Sequence, residues 1–191
     1  RRRARPEPDV TRVYLSLGSN VGDRLSVLRA AVRRLGGLVN VRFVDASPLY
    51  EGEPWESEPG QTTGEQRWYL NCVVALETTL APRALLAGIH TIEGALGRVR
   101  PPGTPEAQRF ATRTLDIDIL FYGDEIVSAG DDLQIPHLLL AEREFVLRPL
   151  ADLVPELVHP ALFRSVRELL AELVDEHDVR AGDYPARWFE D

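Results

Sequence analysis

Apolar residues along this chain recur in two rhythms, one of period two and one close to 3.6. In "TRVYLSLG" Val13, Leu15 and Leu17 fall on alternate positions, the pattern of a half-buried strand. After the turn "SNVGDR", Leu25, Leu28, Val32 and Leu35 follow helical spacing, and Gly36-Gly37 stops that helix. "LVNVRFVDAS" predicts a second strand and "RWYLNCVVALET" a third. In the third, Leu70, Cys72, Val74 and Leu76 share one face while Tyr69 and Asn71 share the other. Pro82 opens a helix whose buried stripe is Leu85, Ile89, Ile92 and Leu96, with Gly97 as its stop. His90 and Glu93 lie one turn apart, off the centre of that stripe.

"RTLDIDILF", residues 113–121, alternates again, and "YGDE" turns the chain toward short strands near "EIV" and "LQIP". "AEREFVLRPLADL" is helical in part, and "SVRELLAELV" is an amphipathic helix. Two polar stretches, 51–66 and 98–113, interrupt the pattern and read as long loops of the functional kind. Residues 1–9 read as a disordered arm or linker, 10–175 as one domain, and 176–191 as a tail with little periodicity. Strands interspersed with helices, and hairpin signals late in the chain, predict an α+β fold with a mainly antiparallel sheet. No G-x-G-x-x-G follows the first strand, which argues against a dinucleotide-binding fold.

Composition narrows the chemistry. A length of 191 residues suits one domain with a real core. No apolar run reaches bilayer length and no secretory signal is visible, so the expectation is a cytoplasmic protein with no membrane partner. A net charge of -8 argues against nucleic acid as a partner. Cys72 is the only cysteine, which excludes a disulfide frame and a thiolate metal cage. The chain has no Met, and its basic opening "RRRARPEPD" suits a linker to a neighbouring domain. There is no Lys either: all 22 basic residues are Arg. A Schiff-base lysine and a Lys-dependent phosphate loop are thereby excluded, and phosphate would be gripped by guanidinium forks.

Asp116 and Asp118 are the residues most suggestive of chemistry. At i and i+2 of a strand they point the same way, about 6.7 Å apart at Cα. Two ionised carboxylates there repel by on the order of 2 kcal/mol at an intermediate dielectric. Water on a wet sheet face would screen them; a divalent cation would turn repulsion into coordination, with phosphate oxygens completing the shell. Arg98, Arg100, Arg109 and Arg113 surround the same strand in an otherwise acidic chain. Tyr69 and Asn71, with Phe145 as a second wall, could hold a flat ligand. A two-metal phosphotransferase or nuclease fits these residues; a non-catalytic RNA-binding sheet fits less well, because its open face would be acidic.

In order along the chain, "LSLGSNVGDR", "SPLYEGEPW", "YLNCVVALET", "IEGALGRVR", "RTLDIDILFYG" and "IPHLLLAEREFVLRPLADLVPELVHP" resemble the 6-hydroxymethyl-7,8-dihydropterin pyrophosphokinases of folate biosynthesis. The resemblance implies a ferredoxin-like α+β fold with helices on both sides of the sheet. It implies transfer of pyrophosphate from ATP to 6-hydroxymethyl-7,8-dihydropterin, with AMP released. It further implies two Mg²⁺ ions on Asp116 and Asp118, Arg98 and Arg113 as phosphate grips with Arg100 and Arg143 as helpers, and His90, Glu93 and His137 on the ATP side. Gly52, Trp55, Tyr69, Asn71, Asp116 and Phe145 would line the pterin slot, and the two long loops would close over both substrates. Asp118 is the candidate proton acceptor, with positioning and charge neutralisation dominant. Some relatives are fused to neighbouring folate enzymes, which the opening linker would suit.

Overall fold

The computed structural model describes residues 9–55, 68–98 and 114–190. Its first strand, β1 (Thr11–Ser19), lies inside the sheet. Alternation there sends Val13, Leu15 and Leu17 into one core and Tyr14 into the other. The chain then enters α1 (Arg24–Gly36), capped by Asp23, whose carboxylate accepts hydrogen bonds from the Ser26 N–H and hydroxyl at 3.1 and 2.8 Å. β2 (Val41–Ala46) and β3 (Tyr50–Gly52) both pair with the long β4 (Tyr69–Thr78). α2 (Pro82–Ala95) starts on proline and leads toward β5 (Asp116–Tyr122). A small hairpin, β6 (Val127–Ser128) and β7 (Gln134–Ile135), and a 3₁₀ turn (Leu140–Glu142) precede α3 (Glu144–Leu153). α4 (Val166–Glu172), opened by a Ser165/Glu168 capping box, and β8 (Val179–Ala181) close the chain.

Strand order is β5–β1–β4–β3–β8, with β2 also on β4, and every pairing is antiparallel. The path β1–α1–β2/β3–β4–α2–β5 with β1 between β4 and β5 is the ferredoxin-like arrangement. α1 and α2 bury Leu28, Val32, Leu85 and Ile89 on one sheet face, against Leu15, Leu17, Cys72 and Val74. α3 and α4 bury Val146, Leu147, Leu150 and Leu169 on the other, against Tyr14, Val73, Ala75 and Phe121. Helices therefore cover both sides.

β5 carries a bulge. Tyr14 pairs with Phe121 but Leu15 pairs with Ile119, so Leu120 is the extra residue, and Leu120 and Phe121 both enter the α3/α4 core. Upstream of the bulge the alternation is strict, and Asp116 and Asp118, opposite Gly18 and Ser16, look out on the α3 side.

Two stretches differ from the pattern-based expectation. Glu51 and Gly52, expected in a loop, lie in β3, where pairing to β4 on one side and β8 on the other satisfies their backbone. The aperiodic 176–191 stretch supplies β8 and Trp188, which is fully buried in the α1/α2 core. The Trp188 indole N–H donates to the Ser47 carbonyl at 2.8 Å, and Arg29 Nε donates to the Trp188 carbonyl at 2.6 Å. Among the described residues no helix is long and apolar enough to cross a membrane.

Candidate active site

α3 covers only one end of its sheet face. On the open end the antiparallel register places Asp116 opposite Gly18 and Gly18 opposite Asn71, with Asp118 opposite Ser16 one rung away. Three adjacent strands thus present carboxylate, glycine and amide in a row. The glycine matters: a Cβ at Gly18 would stand 3.0 Å from Asn71 Oδ1 and 3.6 Å from the Tyr69 ring. Gly52 does the same at the slot's edge, where a Cβ would meet Asn71 Nδ2 at 3.2 Å and Phe145 Cβ at 3.4 Å.

Over this floor lies a cavity of about 310 Å³ lined by Glu53, Trp55, Tyr69, Asn71, Arg98, Asp116, Asp118, His137, Arg143 and Phe145, among others. Phe145 comes from the first turn of α3 and Arg143 from its cap. The Arg143 guanidinium carbon lies 4.6 Å from the Trp55 ring centroid and 5.7 Å from that of Phe145. A second cavity, of about 470 Å³, is lined by Leu86, His90, Glu93, Leu133 and Leu138. It shares Arg98, Asp116, Asp118, His137 and Leu139 with the first. The two cavities meet at the carboxylate pair.

Charge at that junction is tightly organised. Glu93, 1% exposed on α2, accepts the Ile117 N–H at 2.9 Å and pairs with Arg98. Arg98 Nη1 also contacts Asp116 Oδ1 at 2.6 Å. Glu93 therefore steers Arg98 and fastens β5 to α2; the helical pattern had set it aside from the buried stripe. Asp118 is partly buried, with 41% of its side chain open to the cavities. That burial, then the charge of Asp116, pushes its carboxyl up to about 7 against the pull of Arg143. His137 Nδ1 accepts the Leu139 N–H at 3.2 Å, and Nε2 lies 4.0 Å from Asp118 Oδ2. Burial, then the positive charge of Arg143, lowers His137 to about 4, so the ring is neutral at pH 7. With Nδ1 accepting, its proton sits on Nε2, facing Asp118.

Of the residues singled out in the sequence, the structure gathers Trp55, Tyr69, Asn71, Arg98, Asp116, Asp118, His137, Arg143 and Phe145 around one cavity. His90 and Glu93 line the second cavity, and Gly52 adjoins Asn71 and Phe145. Arg100, Arg109 and Arg113, and most of both long loops, lie outside the described residues. Sequence reasoning had the backbone of "LGSNVGDR" bordering a ligand, and Gly18 lines the first cavity; it missed Ser16, Glu53 and Leu139 there and Asp131, Asp132 and Gln134 in the second. The alternation of β1 could have revealed Ser16, opposite in phase to Leu15 and Leu17. Glu53 left no local signal.

The donor set suits a hard divalent cation. Among the described residues no cluster of three or more His, Cys, Asp or Glu is placed to hold a metal. Two convergent carboxylates beside an open cavity are what Mg²⁺ uses when substrate phosphates and water complete its octahedron.

Fold and cleft define a class: a ferredoxin-like α+β protein with paired carboxylates and an arginine at the junction of two cavities. The family model described as 7,8-dihydro-6-hydroxymethylpterin-pyrophosphokinase (HPPK) matches residues 14–155, and the chain belongs to that family. It is 43% identical over 164 residues to the 2-amino-4-hydroxy-6-hydroxymethyldihydropteridine pyrophosphokinase of Methylorubrum extorquens, covering 86% of this chain and 94% of that protein. It is 39% identical over 160 residues to the Folic acid synthesis protein fol1 of Schizosaccharomyces pombe, covering 84% of this chain but 20% of the relative. Among solved structures, the wild-type HPPK-DHPS of Plasmodium falciparum with pterin and p-hydroxybenzoate superimposes with a TM-score of 0.63 at 17% identity. That match covers 87% of this chain and 42% of the other, and it bears on the fold.

Proposed function

We propose that this protein transfers pyrophosphate from ATP to the hydroxymethyl oxygen of 6-hydroxymethyl-7,8-dihydropterin and releases AMP. One observation carries the reading: two cavities of different character meet at Asp116, Asp118 and Arg98. A flat slot walled by Trp55, Tyr69 and Phe145, with the Asn71 amide on its floor, suits a pterin ring. The cavity walled by Leu86, Leu133 and Leu138, with His90 at its side, suits a nucleoside. The junction is where a polyphosphate would span both.

In this reading Asp116 and Asp118 hold Mg²⁺, which when bound supplies neutralisation of the phosphate oxygens. Arg98 exchanges Asp116 for phosphate while Glu93 keeps its guanidinium aimed at the junction. Arg143, stacked on Trp55, adds positive charge at the slot side, and neutral His137 offers its Nε2 proton as a donor to phosphate oxygen. The pterin hydroxyl attacks the β-phosphorus, the bond to the α-phosphate bridging oxygen breaks, and the hydroxyl proton passes to Asp118. Such transfers depend chiefly on in-line positioning and electrostatic stabilisation. Arg100 and Arg113 complete the phosphate grip. Longer relatives, of which the match to this chain spans 20% and 42%, support a place beside neighbouring folate enzymes.

Incubation with ATP, Mg²⁺ and the reduced pterin tests the reading directly. AMP and pterin pyrophosphate are the expected products. ADP alone, or AMP formed equally well without the pterin, overturns it.

A further inference from the structure

The short segment that follows α4 reaches the slot from behind. α3 has no side-chain cap of its own at Arg143. Instead Asp175 Oδ2 accepts the Glu144 N–H at 3.0 Å, capping the helix from outside. The residues this fastens, Arg143 and Phe145, are slot walls. Asp175 Oδ1 accepts the His177 N–H at 3.1 Å and meets His177 Nδ1 at 2.7 Å. Both side chains are largely buried, with 3% of Asp175 and 13% of His177 exposed. An ionised carboxylate only accepts, so His177 carries its proton on Nδ1 and the ring orientation is set. That ring lies 6.2 Å from the Trp55 ring centroid at an interplanar angle of 32°. One residue on, Glu53 and Asp178 exchange hydrogen bonds: Glu53 N–H to the Asp178 carbonyl, and Asp178 N–H to Glu53 Oε2, both at 3.0 Å.

Four slot walls outside β1, β4 and β5, namely Glu53, Trp55, Arg143 and Phe145, are thus fastened by residues 175–178 or adjoin a group that is. A helix cap alone would need only a Ser, Asp or Asn at position 143. The Asp175–His177 pair does more, because it carries the cap and the tryptophan's ring contact on one carboxylate.

We propose that Asp175 and His177 are positioning residues of the pterin slot, a role that rests on the functional reading above. They hold Trp55 and the start of α3 at the spacing of one flat ring, so that binding orders little side-chain freedom. Glu144 and Trp55, which they hold, do not line the second cavity.

The test compares wild type with His177→Ala and His177→Phe in steady-state AMP release, varying each substrate in turn. His177→Ala should raise KM for the pterin by about fivefold, the scale of one lost ring contact, while kcat and the KM for ATP stay within about twofold. His177→Phe, which keeps a ring beside Trp55, should bring the pterin KM back to within about twofold of wild type. If His177→Ala does not melt cooperatively, His177→Leu replaces it, keeping volume without a ring. An unchanged pterin KM, an equal rise for both substrates, or a Phe variant no better than Ala overturns the proposal. Wild-type turnover in the same assay separates the two levels. Its absence overturns the functional reading and the slot with it; an active wild type with an indifferent His177→Ala overturns the positioning role alone.

Discussion

Arg98 and Asp116 stand 2.6 Å apart at the junction of the two cavities, so a phosphate-binding cation and a metal-binding anion neutralise each other across the cleft. Glu93, behind them, holds Arg98 from the buried side. A magnesium nucleotide would separate the pair by offering each member a better partner, the metal for Asp116 and a phosphate for Arg98. Because Glu93 stays attached, Arg98 would swing rather than detach.

Asp116→Ala should lower AMP release by roughly a thousandfold, the scale of losing one preorganised charge contact at a reacting centre. Its melting temperature should not fall. Arg98 keeps Glu93, and Asp118 loses a like-charged neighbour that raises its proton affinity. Turnover within a few-fold of wild type would show that the carboxylate holds no essential metal.

Glu93→Ala should destabilise the fold by about 3 kcal/mol, because it leaves Arg98 half-compensated and the Ile117 N–H without its acceptor. Glu93→Gln keeps an acceptor oxygen and should cost about 1 kcal/mol. Urea unfolding measures both, and equal stability of the Ala variant would remove the structural role. The Gln variant should still lose turnover, since its amide steers Arg98 weakly.

Gly18→Ala places a methyl group 3.0 Å from Asn71 Oδ1, on the floor of the slot. Pterin affinity should fall roughly tenfold while nucleotide affinity changes little, since Gly18 lines only the first cavity. Isothermal titration with each ligand separately decides this; an equal loss for both would place the two ligands differently.

His159 supplies a pH dependence far from the cleft. Its Nδ1 accepts the N–H groups of Ala161 and Leu162 at 3.2 Å, and its ring meets Phe121 edge-on at 5.6 Å. Burial lowers its proton affinity from the ordinary value of 6.5. The folded state thus favours the neutral ring: its contribution is complete above that value and is lost as pH falls below it. His137, lowered to about 4, acts in the same direction. Asp118, its carboxyl raised to about 7, acts the opposite way over the same range, so the His159 part is read by difference. Between neutral and mildly acidic pH the urea midpoint of wild type should fall relative to that of His159→Asn, which keeps an acceptor, giving the two different slopes. Equal slopes would exclude His159 as a source.

The strands and helices that carry the site were readable because their periodicity is local. Asp116 and Asp118 share a face by the two-residue repeat of β5, and Tyr69 and Asn71 by that of β4. The bulge at Leu120 was not readable, since it depends on which β1 residue each β5 residue meets. Glu93 was placed on the helix but not in depth. Its burial comes from Arg98 and the backbone of Ile117, partners on other elements that make a charged side chain stable inside.

Alternation, helical spacing and paired acids were enough to define an α+β chain with a carboxylate-bearing strand and arginines ready for phosphate. Those features depend on neighbours a few positions away, so they are written in any short stretch. The enclosure of the site was decided only in three dimensions. Glu53 meets Asp178 across 125 positions of chain, and Trp188 meets Ser47 across 141. Contacts of that span leave no period in the sequence, because their geometry exists only once the sheet register and the helix packing have brought the two segments together.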